Sequence, residues 1–221
     1  MLETTDFHGA ILGGRDRASD RAVGGSAVLA AYVAKLRAEN PEGTVLLDGG
    51  DFFQGTMISN LQFGRPVVEQ MNAIGYTAVA IGNHEFDWSA DTLASTRHRH
   101  AASTHSAANM HERKSGRIPR WAHADTVVTR RVRVSVLGIL VATTTRRRSP
   151  WPAMSRTCDS TTTRRPPCGS CTALRKRSDV VVGVGHIPCE SDSLSARAAA
   201  TSCVSRRGVP GVAAVVRRPQ P

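Results

Sequence analysis

Apolar residues recur at helical spacing in two segments of the first half of the chain. The first segment predicts an amphipathic helix from Gly25 to Asn40, since Pro41 follows its end. Its inward side chains are Val28, Leu29, Tyr32, Val33 and Leu36. The second segment predicts a helix that starts near Pro66 and stops at Gly75. Its inward side chains are Val67, Val68 and Met71.

Two short apolar runs precede and follow the second predicted helix in the sequence. Residues 44–47 and 77–81 are almost entirely apolar, as in strands that are covered on both faces of a parallel sheet. Strand, helix and strand in this order predict a right-handed crossover unit of an α/β layer fold. Ligands of such sheets bind beyond the carboxyl ends of the strands. Functional residues are therefore expected directly after each run.

The pattern becomes discontinuous beyond Leu93. Residues 125–129 and 132–137 alternate between apolar and polar like paired strands, and residues 179–185 predict a buried strand that ends at His186. The segments between them have neither a helical nor a strand period. They include 97–100, 143–148 and 161–167. We expect the histidines of this irregular part to be exposed; they are His98, His100, His105, His111 and His123.

Composition changes at the same point. The net charge of the 221-residue chain is +11, but residues 1–93 hold 6 basic and 12 acidic residues, which leaves 23 basic and 6 acidic residues for the remainder. All 5 cysteines lie at or beyond Cys158. We interpret the change as a coding frame that slips and recovers after about residue 93. The predicted organisation is a regular part at 1–93, a degraded continuation at 94–194 with ordered islands at 107–140 and 175–192, and an irregular tail at 195–221.

The basic half suggests an alternative, a nucleic-acid-binding protein that binds mainly through contacts with the phosphates of the nucleic acid. It lacks interleaved aromatic residues and a helix-turn-helix pattern, so we expect no specific nucleic-acid partner. No apolar run is long enough to span a bilayer, and we expect no membrane partner. The first residues, Met1 to Glu3, show neither the basic start nor the apolar stretch of a signal peptide. Compartment and oligomeric state stay open.

Three short blocks carry the candidate chemistry: residues 5–9, 48–55 and 82–87. Each combines potential metal ligands with glycines, which allow sharp turns and a close approach to a phosphate. Asp6 and His8 are two residues apart, so their side chains share a face if the segment is extended. Asp51 has two carboxylate oxygens and is suited to bridge two cations about 3.5–4 Å apart. Asn83 offers an amide oxygen to the second cation.

The remaining candidates are imidazoles and one acid. His186, at the end of its predicted strand, is a fifth metal ligand. His84 follows Asn83, and Asp87 three residues on is placed to orient the His84 ring and support its protonated form. His84 is thus a candidate acid for the leaving oxygen. Mixed oxygen and nitrogen ligands favour two divalent ions from among Mn, Zn, Fe and Co, with a water between them as nucleophile.

Residues 4–93 closely resemble the calcineurin-like metallophosphoesterases, in particular the branch of 5′-nucleotidases and 2′,3′-cyclic-nucleotide phosphodiesterases. The three blocks occur in the family's order, and segments 24–29 and 67–72 between them match as well. The resemblance implies a four-layer α/β/β/α fold, here incomplete, and a small-molecule nucleotide or phosphoester substrate. It implies that one metal is held by Asp6, His8 and Asp51, and the other by Asp51, Asn83 and His186. It makes His84 and Asp87 the catalytic pair.

The resemblance also marks departures. The family supplies two further ligands from a late Gly-His-x-His motif, and no such motif follows His186. Members of the family are commonly periplasmic or extracellular. The sequence therefore predicts a metal-dependent phosphoester hydrolase, with two alternatives: a catalytically dead or unstable remnant of such an enzyme, and the basic nucleic-acid-binding protein considered above.

Overall fold

A computed structural model of the chain describes residues 1–139, 158–160, 168–186 and 214–216. The described strands are β1 Leu2–Thr4, β2 Gly14–Arg15, β3 Ala22–Val23, β4 Leu46–Asp48, β5 Ala78–Ala80, β6 Thr104–Ser106, β7 Met110–Glu112, β8 Asp125–Thr129, β9 Arg133–Ile139, β10 Cys158–Ser160, β11 Val180–Gly185 and β12 Ala214–Val216. The described helices are α1 Gly25–Glu39, α2 Met57–Asn60, α3 Arg65–Ile74, α4 Ala90–His100 and α5 Cys168–Arg177, with a 3-10 turn at His84–Phe86.

The first sheet has the order β1-β4-β5-β6, and all of its pairs are parallel. The crossover from β4 to β5 runs through α3, as the sequence predicts. Gly75 ends α3 in the left-handed conformation with φ of 83°, a position that favours glycine. Because all four strands run the same way, their carboxyl ends meet at one edge, and each loop that leaves this edge can carry a side chain to the same place.

The second sheet has the order β12-β11-β9-β8, in which only β8 is antiparallel to its neighbour. The predicted pairing of residues 125–129 with residues 132–137 is confirmed by β8 and β9. The predicted strand at 179–185 is β11, and it ends directly before His186. Two short antiparallel ribbons, β2 with β3 and β7 with β10, complete the described strands.

Alternation along the strands builds two separate cores. In β4, Leu46 packs among the helices of the first core, while its neighbour Leu47 packs between the two sheets. The inter-sheet core consists of valines and alanines with one leucine: Val45, Leu47, Ala78, Ala80, Val134, Val136, Val182 and Val184. On the far side of the second sheet, α5 contacts β9 and β11 and buries Leu174. The order of layers is therefore helices, sheet, sheet, helix, which is the predicted four-layer α/β/β/α fold.

The first helix is less amphipathic than its sequence suggests. Val33 is buried and Leu29 packs against the first core, as predicted. Tyr32 and Leu36, predicted to face inward, are 63% and 40% exposed. The first core thus meets only a narrow strip of α1, which consists of Val33, Leu29 and Ala30. Among the described residues, no helix has both the length and the apolar character needed to cross a bilayer.

Regular structure continues past Leu93, where the sequence pattern weakens. Residues 97–100 have no hydrophobic period, yet they form the last turn of α4. The helix is fixed by its start: the Ser89 hydroxyl accepts from the Thr92 amide, and Ala90 and Leu93 are buried. The predicted exposure of His105 is wrong. It is 1% exposed in β6, and burial lowers its pKa to about 3.

Three predicted segments lie wholly or largely outside the described residues. They are the Arg-rich stretches 143–148 and 161–167 and the tail 195–221, of which only Ala214–Val216 is described, as β12.

A buried carboxyl group links the first three strands of the first sheet. Asp48 closes β4 and is fully buried; it accepts from the Thr4 hydroxyl and from the Gly50 amide. The Thr4 oxygen also lies 2.8 Å from the hydroxyl of Tyr76, just before β5. Burial raises the pKa of Asp48 to about 7, although both donors oppose the rise. Burial and the Asp48 charge also raise the pKa of Tyr76.

The raised pKa of Asp48 predicts a specific pH dependence of stability. Between pH 4 and 7 the folded chain keeps the proton while the unfolded chain loses it, so this group makes folding less favourable as pH rises. The accumulated effect is roughly 4 kcal/mol at most. Asp48→Asn keeps an acceptor for Gly50 and has no charge to bury, so we expect the stability gain of this variant to grow from pH 4 to pH 7. Urea unfolding of both chains in that window measures it; parallel pH profiles would contradict it.

Candidate metal centre

Loops from both sheets meet at one edge of the fold. They follow β1, β4 and β5 of the first sheet and β11 of the second. The predicted site residues that they carry are Asp6, His8, Asp51, Asn83, His84 and His186. The first loop is paired with the second through its backbone, since the amides of Asp6 and His8 donate to the carbonyls of Gly50 and Asp51 at 3.0 Å. The two ligand segments are thus fixed to each other before any side chain is considered.

Asp6, His8 and Asp51 form the centre of the site. One ligand atom from each lies within 4.8 Å of the others. Nε2 of His8 is 3.7 Å from Oδ1 of Asp6. Nδ1 of His8 donates to the carbonyl of Gln54 at 2.7 Å, which leaves Nε2 as the ring nitrogen with a lone pair for a cation. The Thr5 hydroxyl orients Asp6 by donating to its Oδ2.

All three of these residues have left-handed backbone. Their φ angles are 53° for Asp6, 48° for His8 and 59° for Asp51. The expectation of an extended Asp6–His8 segment is therefore wrong, although the two side chains do converge. Non-glycine residues in this region cost about 1–3 kcal/mol each and cluster at functional sites. Turning the backbone at each ligand lets short loops direct carboxylate and imidazole groups to one point.

His186 reaches Asp51 from the second sheet. Its Nε2 lies 2.9 Å from Oδ2 of Asp51, and the two side chains are 1% and 0% exposed. Burial opposes ionisation of Asp51, but the His186 ring and the amide of His84 outweigh it and lower the pKa of the carboxyl. Neither Nε2 of His186 nor Oδ2 of Asp51 has a partner with hydrogen-bond geometry within the described part of the chain. A nitrogen and an oxygen that face each other in this way suit two ligands of one cation.

His84 and Asp87 form the predicted pair. Nδ1 of His84 lies 2.7 Å from Oδ2 of Asp87, and their side chains remain 30% and 21% exposed. The His84 amide donates to Oδ1 of Asp51 at 2.9 Å, so the same carboxylate touches both His84 and His186. The His84 ring also packs edge to face with His8, 5.2 Å between centroids. Asn83 is buried in the turn that leads to His84.

Two glycines make this convergence possible. Gly50 has φ of 102°, and a Cβ there would lie 3.1 Å from Cβ of His186. A Cβ at Gly82 would lie 2.2 Å from Oδ1 of Asp51 and 2.5 Å from its amide nitrogen. Both distances are far below van der Waals contact, so a side chain at Gly82 would displace Asp51.

Glu85 is a functional candidate that the sequence reasoning missed. It is 1% exposed, and its carboxylate accepts four backbone N–H groups from the loops after β4 and β5. Burial and the Asp51 charge raise its pKa well above the ordinary value, while the donated amides oppose the rise. One signal was available in the sequence: Glu85 is an acid inside the third block to which neither the ligand set nor the catalytic pair gives a role.

The residues present suit divalent cations. The centre offers carboxylate oxygens from Asp6 and Asp51 and imidazole nitrogens from His8 and His186, a mixed set that suits Mn, Zn, Fe or Co. His8 has the carbonyl partner that metal-bound imidazoles usually require, and Asp51 and His186 supply buried atoms without hydrogen bonds among the described residues. The geometry brings the predicted ligands Asp6, His8, Asp51 and His186 together, with His84 beside them.

No protein-family model matches the chain. Several curated proteins, however, are similar to the chain in sequence. Bovine 5′-nucleotidase is 41% identical over 92 residues, which is 39% of this chain and 16% of that protein. The protein UshA of Salmonella pullorum is 31% identical over 142 residues, which is 63% of this chain and 24% of that protein. The snake venom 5′-nucleotidase of Gloydius brevicauda is 41% identical over 92 residues, 15% of its length. The chain thus spans at most about a quarter of these three relatives.

Solved structures share the fold over almost the whole chain. The 5′-nucleotidase precursor of Thermus thermophilus superposes with a TM-score of 0.77 at 23% identity, covering 98% of this chain and 40% of that one. The calcineurin-like phosphoesterase YfkN of Bacillus subtilis gives a TM-score of 0.72 at 22% identity, with coverage of 98% and 70%. The chain is therefore similar in sequence to 5′-nucleotidases over part of its length, and it shares the fold of a 5′-nucleotidase precursor and of a calcineurin-like phosphoesterase.

Proposed function

We propose that the chain carries the metal-dependent phosphoester hydrolase centre of a nucleotidase, with a small nucleotide as its substrate. One observation carries the proposal: Asp6, His8 and Asp51 converge within 4.8 Å, with His186 at 2.9 Å from Asp51. Curated proteins similar to it in sequence bear the names 5′-nucleotidase and UshA, and a structural neighbour from Haemophilus influenzae is an NAD nucleotidase. These names support a phosphoester of a nucleotide as the substrate class.

The proposed ligands divide into two groups around Asp51. Asp6 and His8 form one group with Asp51, and His186, whose Nε2 lies 2.9 Å from Oδ2 of Asp51, forms the second group together with Asn83. Divalent cations in such a centre act as Lewis acids that lower the pKa of water and offset phosphate charge. The short loops hold the ligands in place before a cation arrives, because their left-handed residues are already fixed by backbone hydrogen bonds.

His84 is the proposed acid. Asp87 accepts from its Nδ1, so a protonated ring presents Nε2–H as its second donor. The backbone bond from His84 to Asp51 fixes the ring's position relative to the ligands. A substrate phosphoryl group held between the ligands and His84 would receive this proton on its leaving oxygen. General acids at such positions contribute about 10²–10⁴-fold to the rate.

His84→Ala tests the proposed acid. We expect the hydrolysis of p-nitrophenyl phosphate, bis-p-nitrophenyl phosphate and AMP with added Mn²⁺ to fall about 10²–10⁴-fold in the variant, since the leaving oxygen loses its proton donor. His98→Ala is the matched control, because His98 is exposed on α4. Equal rates for the chain and the His84 variant would remove the enzyme proposal. Metal binding without turnover in the unaltered chain would favour a catalytically dead remnant.

Gly82→Ala tests the proposed metal centre. We expect Mn²⁺ to raise the Tm of the unaltered chain, because a cation that binds only the folded state adds about 2.7 kcal/mol at a hundredfold excess over Kd. In the variant, the new Cβ would meet Oδ1 of Asp51 at 2.2 Å, so most of this rise should be lost. Gly14→Ala is the control, since a Cβ at Gly14 has no neighbour within 4 Å. An equal Mn²⁺ shift in both variants would contradict the assignment.

A further inference from the structure

The Glu85 carboxylate joins the two loops that carry Asp51 and His84. Oε2 accepts from the amides of Asp51 at 2.9 Å and Gly82 at 2.7 Å. Oε1 accepts from the amides of Phe52 at 2.8 Å and Phe53 at 3.1 Å. These four N–H groups belong to loops that leave different strands, β4 and β5. A side chain from the second loop therefore provides the acceptors that the first loop needs.

This contact acts on the strained ligand. Asp51 holds φ of 59°, a left-handed conformation that is unfavourable for a non-glycine residue. Glu85 accepts from the amides of Asp51, Phe52 and Phe53, and it thereby fixes the peptide planes on both sides of Asp51. Oδ1 of Asp51 in turn accepts from the amide of His84, the residue before Glu85. The two loops are thus interlocked in both directions.

Only a carboxylate of this length satisfies the arrangement. Two oxygens offer about four lone-pair sites, one for each amide. Glu85→Gln would direct an NH₂ group at two backbone donors and leave them unsatisfied in a fully buried place, which is destabilising. Glu85→Asp keeps the carboxyl group but lacks one methylene, so it cannot reach both loops.

We propose that Glu85 is a positioning residue that holds Asp51 and His84 in the geometry required for cation binding and proton donation, without itself touching cation or substrate. This inference rests on the proposed hydrolase function. Three observations support it: the four hydrogen bonds from backbone amides to Glu85, the left-handed backbone of Asp51, and the hydrogen bond from the His84 amide to Asp51. Glu85 sets where the Asp51 oxygens lie, while the ligands set how strongly a cation binds.

The test compares Glu85→Gln and Glu85→Asp with Glu69→Gln, a control on the exposed face of α3. Mn²⁺ affinity is measured by calorimetry well below each Tm, so that only folded protein is titrated, and kcat is measured at saturating Mn²⁺. We expect about 10–100-fold weaker Mn²⁺ binding in both Glu85 variants and a lower kcat even at saturation, because loss of an orienting contact displaces the ligands. A variant with a lower Tm but unchanged Mn²⁺ affinity would show a structural role only and overturn the proposal.

Hydrogen exchange of the unaltered chain tests the proposal even if the variants do not fold. The amides of Asp51, Phe52, Phe53 and Gly82 should exchange together and slowly, because all four share one buried acceptor. If these four amides exchange as fast as exposed loop amides, the proposed role of Glu85 is overturned. This result does not depend on catalysis. If the four amides are protected in a chain that binds no Mn²⁺, the proposed function is refuted, whereas the contact by which Glu85 joins the two loops is supported.

Discussion

Asp51 holds a left-handed backbone conformation at the carboxyl edge of the first sheet, and the rest of the site is arranged around it. Its carbonyl pairs with the amide of His8, its Oδ1 accepts from the amide of His84, and its Oδ2 faces the His186 ring. One residue therefore contacts three loops from three strands. The conformation is unfavourable for an isolated aspartate, so the surrounding contacts must supply the free energy that keeps it. Buried hydrogen bonds from backbone amides, above all those to Glu85, can hold this conformation because no water competes for the donors.

The two cores explain why the edge of the sheet is stable enough to carry strained loops. Alternating side chains of β4 and β5 pack against helices on one face and against the second sheet on the other. The inter-sheet core uses valine and alanine, which allow the sheets to approach closely. That approach brings the end of β11 next to Gly50, where a larger residue would meet His186. Small side chains between the sheets and a glycine at their edge are thus parts of one arrangement that lets His186 reach Asp51.

The sequence predicted the elements and ligands that depend on local patterns. The crossover from β4 to β5, the paired strands β8 and β9, and the strand that ends at His186 follow from period and turn residues. The convergence of Asp6, His8 and Asp51 follows from parallel strands that end at one edge. Contacts over long distances in sequence were not predictable in the same way. The burial of His105 depends on the packing of β6 within the fold, and the helix at residues 97–100 continues from the start of α4 at Ser89, so neither follows from a hydrophobic period of its own residues.

The placement of His186 gives the centre a role in the fold itself. Asp6, His8, Asp51 and His84 extend from the first sheet, whereas His186 extends from the second, so the site closes only when the two sheets are packed. A cation held by Asp51 and His186 would therefore bind the packed form more tightly than any form with the sheets apart. By linkage, that preference would stabilise the inter-sheet core, whose buried members are valines, alanines and Leu47. If the proposed centre binds a cation in this way, cation affinity and sheet packing would be coupled through the Asp51 carboxylate, and changes in the valine and alanine layer would alter both.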